Sequence, residues 1–224
     1  MHRILRFSLF SLIFGISAEV TATPKVTFDY SYALDFVCPE PVAPTMQDEL
    51  LARLPELQQE WNAQGPHLLK ATVAAIGTPF PAMELQAAVF ACPRFPSMGT
   101  PLALNSVAYL QSAASLIPEM GGQTLPVFFF VSTAFHEILH KYIQGILEKR
   151  PSRILLAHKR ESELYKAHLH LFALQKKVFE DLKLGNLLDS IGKVEALHGA
   201  DYARAWRDVH GDPSVCAQLI EELR

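Results

Sequence analysis

The sequence predicts an α+β fold dominated by helices, on three observations. Half of the 224 residues are apolar, enough for a single domain with a sizeable core. From Pro126 onward, apolar residues recur at helical spacing with few breakers. Strand-like alternation is short and confined to the first half of the chain, so any sheet is small.

In chain order, Val26 to Val37 is rich in aromatic and β-branched residues and reads as a short strand before the Pro39 to Pro44 breaker. Thr45 with Asp48 resembles a capping box. It opens a helix carried by Leu50, Leu54, Leu57 and Trp61 to a stop at Gly65-Pro66. A second helix follows over His67 to Ile76. Met83 to Ala91 alternates as a strand, Pro93 to Pro101 is loop, Leu102 to Leu110 is a further strand, and Gln111 to Ile117 a short helix. Gly121-Gly122 breaks the chain ahead of a long helix from Pro126 to Lys149, which Arg150-Pro151 ends. Ser152 then caps a helix expected to run with few interruptions to Leu184-Gly185. Helices over Asn186 to Leu197, Ala200 to Val209 and from Pro213 complete the chain.

Residues 1–22 carry a basic start, an apolar run from Phe7 to Ala18 and then Val20-Thr21-Ala22, where small residues permit cleavage, the signature of a secretory signal peptide. Residues 23–224 then form the single mature domain, secreted or periplasmic. The apolar run is shorter than the ~20 residues a bilayer requires, so no stable membrane span is expected after cleavage. Export places Cys38, Cys92 and Cys216 where disulfides persist. Cys38-Pro39 and Cys92-Pro93 share loop-like contexts and are the favoured pair, leaving Cys216 odd. A net charge of −3 and a pI near 6.3 supply no basic field for phosphate, which argues against a nucleic-acid partner.

The strongest chemical signal is His136-Glu137-Ile138-Leu139-His140. On a helix, i and i+4 stand one above the other, so both imidazoles can reach one ion. Glu137 projects about 100° away, well placed to hold a water beside that ion and to take its proton. Bound Zn2+ lowers the pKa of its water towards ~7. The two histidines share a face with Phe129, Ile143 and Leu147, where an unpartnered polar group is costly.

Catalytic zinc commonly takes three protein ligands. A glutamate from the following helix is one way to complete the set, and Glu161 and Glu163 are the candidates. At 100° per residue, Ile154, Ala157, Leu164, Tyr165, His168, Phe172 and Phe179 fall within about 60° of Glu161, inside the buried stripe. Glu163 points among lysines and reads as a solvated ion-pair partner. The expected metal ligands are therefore His136, His140 and Glu161. His168, about 20° from the direction of Glu161, and Tyr165, four residues after it, are candidates to orient a ligand or stabilise an oxyanion. The alternative for each is a core polar group satisfied by backbone, which the sequence favours more for Tyr165 than for His168.

This pattern, with Glu161 placed 21 residues after His140, resembles the gluzincin branch of the zincin metallopeptidases. The resemblance covers the two helices from about residue 126 to 183. It implies a zincin-like domain with an active-site helix, a ligand-bearing helix and a small sheet. It further implies an exported zinc metallopeptidase acting on a peptide or protein substrate, by Glu137-assisted attack of zinc-bound water. In the related metzincin branch the motif extends to Gly and His at the positions of Ile143 and Ile146, which sets that branch aside. Thermolysin-like members carry Asn and Asp where this chain has Arg160 and Tyr165.

Two other readings compete. Glu137-x-x-His140 and Glu195-x-x-His198 both have the i, i+3 spacing of a di-metal carboxylate bundle. A periplasmic protein could also hold zinc without catalysis, although such a site has no need of Glu137.

Overall fold

The computed structural model describes residues 23–93, 95–116 and 121–224. The signal expected over residues 1–22 lies outside them. The order is β1 (Lys25–Tyr30), α1 (Tyr32–Phe36), α2 (Pro44–Ile76), β2 (Glu84–Phe90), β3 (Met98–Gly99) and β4 (Leu102–Asn105). Then come α3 (Val127–Leu147), α4 (Arg153–Ala157), α5 (Glu163–Asp181), α6 (Leu188–Ala196), α7 (Ala200–Gly211) and α8 (Pro213–Leu223). The expected α+β, mainly helical class holds. Among the described residues no helix is long and apolar enough to cross a membrane.

The four strands form one mixed sheet in the order β1-β2-β4-β3. β1 runs parallel to β2, with Phe28 opposite Ala87, and β2 runs parallel to β4, with Val89 opposite Leu104. β3 is antiparallel to β4 and forms the edge, Gly99 opposite Leu102. One contiguous core, from Val26 to Leu223, joins the sheet face to α2, α3, α5 and α8. A disulfide between Cys38 and Cys92, the favoured pair, ties the segment after α1 to the end of β2, and Cys216 is free and buried.

Several boundaries differ from expectation, each for a local reason. The first strand stops at Tyr30, because the Ser31 hydroxyl accepts from the Leu34 N–H and starts α1. Thr45 does not cap α2. That helix starts at Ala43 with Pro44 in its first turn, where a missing N–H is harmless. Nor does Gly65-Pro66 stop it, since α2 continues through both to Ile76. The glycine instead makes room for a side chain: a Cβ on Gly65 would stand 2.3 Å from the buried indole of Trp61. The strand expected over Leu102 to Leu110 shortens to β4, with a 3-10 turn over Val107–Tyr109. The helix at Gln111 is likewise 3-10, over Gln111–Leu116.

The consequential correction is the helix after Ser152. Ser152 does cap, accepting from the Leu155 N–H at 2.9 Å, but α4 ends at Ala157. α5 is a new helix, capped by Ser162, which accepts from the Tyr165 N–H at 3.1 Å. Glu161 therefore sits in the turn between two helices and has no place on a helical stripe.

Candidate metal centre

α3 is apolar almost all round and is buried between α2, α5 and the β3–β4 hairpin. His136 and His140 stack on one face of it, with their Nε2 atoms 3.1 Å apart. Tetrahedral ligation at ~2.0–2.1 Å puts ligand nitrogens ~3.3 Å apart, close to what is observed. α5 packs against this face and adds His168, whose ring centre lies 5.3 Å from that of His136 and 4.8 Å from that of His140. Ligand atoms of the three histidines all fall within 4.8 Å of one another. This is the only such group among the described residues, and it can hold a metal ion.

The tautomers favour ligation. His168 Nδ1–H donates to the Leu164 carbonyl at 2.6 Å, which leaves its Nε2, buried and without a partner, as a bare acceptor. Nδ1 of His136 lies 3.1 Å from Oε1 of Glu195 on α6, at ion-pair distance but off the line of a well-aligned hydrogen bond. Burial, reinforced by His136, pushes the pKa of His140 down to about 2 and that of His168 down to about 4. Both are therefore neutral, as metal ligands must be. His136 moves the other way: burial opposes its charge, but the Glu195 carboxylate outweighs it. Glu195 itself is held low against its own burial by His136.

Glu137 is buried at 7% exposure. Burial, with Glu195 adding to it against the pull of His136, raises its pKa to about 7. Above it runs the sheet edge. A Cβ on Gly99 would stand 2.7 Å from the Glu137 carbonyl oxygen, 2.9 Å from the His140 Cβ and 3.6 Å from Glu137 Oε2. Only glycine lets β3 lie this close. The edge beside the motif is thus β3, whereas β4 is interior.

The remaining candidates fall in two places. Glu161 is half-buried and accepts from Arg204 Nη2 at 2.5 Å. The Arg204 guanidinium in turn lies over the Tyr165 ring, 3.9 Å from its centre, and the Tyr165 hydroxyl donates to Asp208 at 2.9 Å. Neither Glu161 nor Tyr165 joins the histidines. The helical phase that aimed Glu161 inward required a helix that the Ser162 cap interrupts. His168, expected beside a ligand, stands with His136 and His140 as the third member of the histidine group. Glu163 pairs with Lys166 at the surface, as expected.

Two residues of α6 and α7, Glu195 and Tyr202, complete the surroundings. Glu195 stands out in the sequence only by its spacing to His198. Tyr202 places its ring 3.9 Å from His168 and stacks on His136 at 6.3 Å. Burial, then Glu195 and Glu137, raise its pKa. Glu195 faces Nδ1 of His136, away from the Nε2 atoms, so it supports a ligand from behind. This weighs against a second metal between the two Glu-x-x-His pairs.

Comparison with protein-family models, with curated proteins and with solved structures returned no match.

Proposed function

We propose that the protein is an exported zinc-dependent hydrolase, acting on peptide bonds, with His136, His140 and His168 as ligands and Glu137 as general base. The observation that carries this reading is the bare, buried Nε2 of His168 facing the paired Nε2 atoms of His136 and His140, with a carboxylate of raised pKa on the same helix. The residues fit a borderline-soft divalent ion, since three neutral imidazoles leave a tetrahedral vertex free. When bound, zinc supplies an acidified water and polarises the scissile carbonyl.

Glu137 takes the proton from the attacking water and passes it to the leaving amine, a role suited to a carboxyl whose pKa lies near 7. Glu195 holds His136 in orientation and offsets positive charge at the centre. Tyr202 lies against two of the rings and helps to shield the site from water. The Cys38–Cys92 disulfide supports export, because such bonds persist in oxidising compartments.

The test is metal analysis combined with one conservative substitution. Purified protein is expected to carry about one zinc per chain and to degrade unfolded casein. Glu137→Gln is expected to keep the zinc and lose hydrolysis by at least ~100-fold. Undiminished cleavage by that variant would end the proposal.

A further inference from the structure

We propose that the Cys38–Cys92 disulfide is a redox latch on the metal centre, whose reduction by a dithiol loosens β3 from Glu137 and His140 and reversibly lowers hydrolysis. The latch deepens the hydrolase reading and rests on it. β3 consists of Met98 and Gly99, and its ladder to β4 is two pairs long. So short an edge strand is not held by its ladder alone. Its other support is a small apolar cluster, separate from the main core, in which Phe90 and Cys92 are buried and Leu34, Cys38, Phe95 and Met98 pack around them. Both cysteines thus share a cluster with Met98. The next residue, Gly99, is the one that meets the motif, with a Cβ position 2.7 Å from the Glu137 carbonyl oxygen and 2.9 Å from the His140 Cβ.

The turn between the disulfide and β3 is cross-braced. Asn105 donates from Nδ2 to the carbonyls of Cys92, at 2.7 Å, and of Phe95, and its N–H donates to Ser97 Oγ at 2.9 Å. Phe95 also meets Phe90 edge to face, with ring centres 5.7 Å apart. A displacement at Cys92 is therefore passed along the turn to Met98. Asp35 accepts from the Ala91 N–H at 2.7 Å, which keeps α1 beside the end of β2 when the covalent link is cut, so that the same pair can form again. The two sulfurs differ in access. Cys92 is 1% exposed, whereas Cys38 forms part of the wall of a cavity of about 640 Å³, lined also by the exposed Tyr32 and Phe36. A thiolate entering there attacks Sγ of Cys38, forms a mixed disulfide and expels Cys92 as a thiolate, which takes up a proton. The second thiol of the reductant then attacks the sulfur of its own molecule and releases Cys38 as a thiol. Two electrons and two protons pass to the protein, and the reductant leaves as a disulfide. Hydrolysis is thereby confined to compartments where such bonds persist.

The test compares the oxidised protein with protein reduced by dithiothreitol, freed of the reagent without air and loaded with zinc. Amide hydrogen exchange over residues 95–105 is expected to quicken about tenfold or more on reduction, with α3 and α5 still protected. Zinc per chain should be unchanged and casein hydrolysis lower by about tenfold or more. Oxidised glutathione should restore both exchange and hydrolysis. Met98→Ala in the oxidised protein removes the packing of β3 and leaves the disulfide whole. It should lower hydrolysis about as far, and reduction of that variant should add little. Unchanged exchange over residues 95–105 overturns the latch whatever hydrolysis does, as does loss of zinc on reduction, or exchange that rises through α3 and α5 alike, the mark of plain destabilisation. Faster exchange with undiminished hydrolysis overturns the coupling to Glu137, and a Met98→Ala protein of native activity overturns the route through β3. Oxidised protein that binds no zinc or cleaves no casein overturns the hydrolase reading itself and the latch with it.

Discussion

Oε1 of Glu195 lies 3.1 Å from Nδ1 of His136, on the side of the ring away from the nitrogen that faces His140. A carboxylate behind a histidine raises the basicity of the ligating nitrogen and fixes its direction, and removing such a partner typically costs 10–100-fold in metal affinity. Glu195→Gln is accordingly expected to weaken zinc binding by about tenfold or more, read by competition with a chelating dye, with the far-ultraviolet dichroism unchanged. Native affinity in that variant would show that the contact does not support the site.

The third ligand separates the sequence reading from the structural one. His168→Ala is expected to lose bound zinc, whereas Glu161→Ala, which removes only a half-exposed pair with Arg204, is expected to keep it. Zinc per chain, measured by mass spectrometry after dialysis, decides. Retention in the His168 variant and loss in the Glu161 variant would restore the glutamate.

Gly99 sets the distance between the sheet edge and the motif. With a Cβ there 2.7 Å from the Glu137 carbonyl and 2.9 Å from the His140 Cβ, Gly99→Ala must push β3 outward or shift α3. Peptide hydrolysis is expected to fall by about tenfold or more, since small displacements of positioned groups are expensive, while the melting transition stays cooperative. Full activity would mean that β3 takes no part in the geometry of Glu137.

Glu222 clamps the start of α4 from α8. It accepts from the Arg153 and Ile154 N–H groups at 2.9 and 3.1 Å, and from Ser152 and His170. Burial alone would raise its pKa, but these donors outweigh it and the net shift is downward. A depressed carboxylate contributes its stability in full above its unfolded pKa of ~4.3 and loses it as pH falls through the lower folded value. Glu222→Gln should therefore be destabilising by about 2 kcal/mol at pH 7. The difference from the native protein in urea titrations should shrink below about pH 4. A gap that does not change with pH would contradict this.

Reduction of the disulfide removes a restraint across a sequence separation of 54 residues. Replacing both Cys38 and Cys92 by serine should lower unfolding free energy by about 2–4 kcal/mol, again by urea titration. An unchanged midpoint would show that the Asn105 bond to the Cys92 carbonyl, at 2.7 Å, holds the loop unaided.

What could be read from the sequence was local. His136, Glu137 and His140 lie within one turn and a bit of a single helix, so their mutual geometry follows from the helix repeat. The proline-flanked cysteines were paired correctly for a similar reason, since both lay in loops. The inward direction of Glu161 depends on five residues, His158 to Ser162, being helical, and they form the turn between α4 and α5. Ser162, with Glu163 in the first turn, was the missed capping signal. On a continuous helix His168 and Glu161 point in nearly one direction, so helical phase alone does not choose between them. Nothing in the sequence places Glu195 or Tyr202 beside the histidines, since only tertiary packing brings α6 and α7 against α3 and α5. The uninterrupted passage of α2 through Gly65-Pro66 was hidden in the same way, in the packing of Trp61.

Glu137 and Glu195 are the two carboxylates buried at this centre, each at 7% exposure, beside three imidazoles. With the imidazoles neutral and both carboxylates ionised, the interior contributes a charge of minus two, the state that would be reached once a bound ion has displaced the Glu137 proton. A dication closes that balance without borrowing an anion from solvent, whereas a monovalent ion leaves a deficit and a trivalent ion an excess in a low-dielectric interior. The raised pKa of Glu137 belongs to the same balance, because ion entry would expel its proton. If the group holds a metal, its count of acids would favour a divalent ion, independently of the softness of its nitrogens.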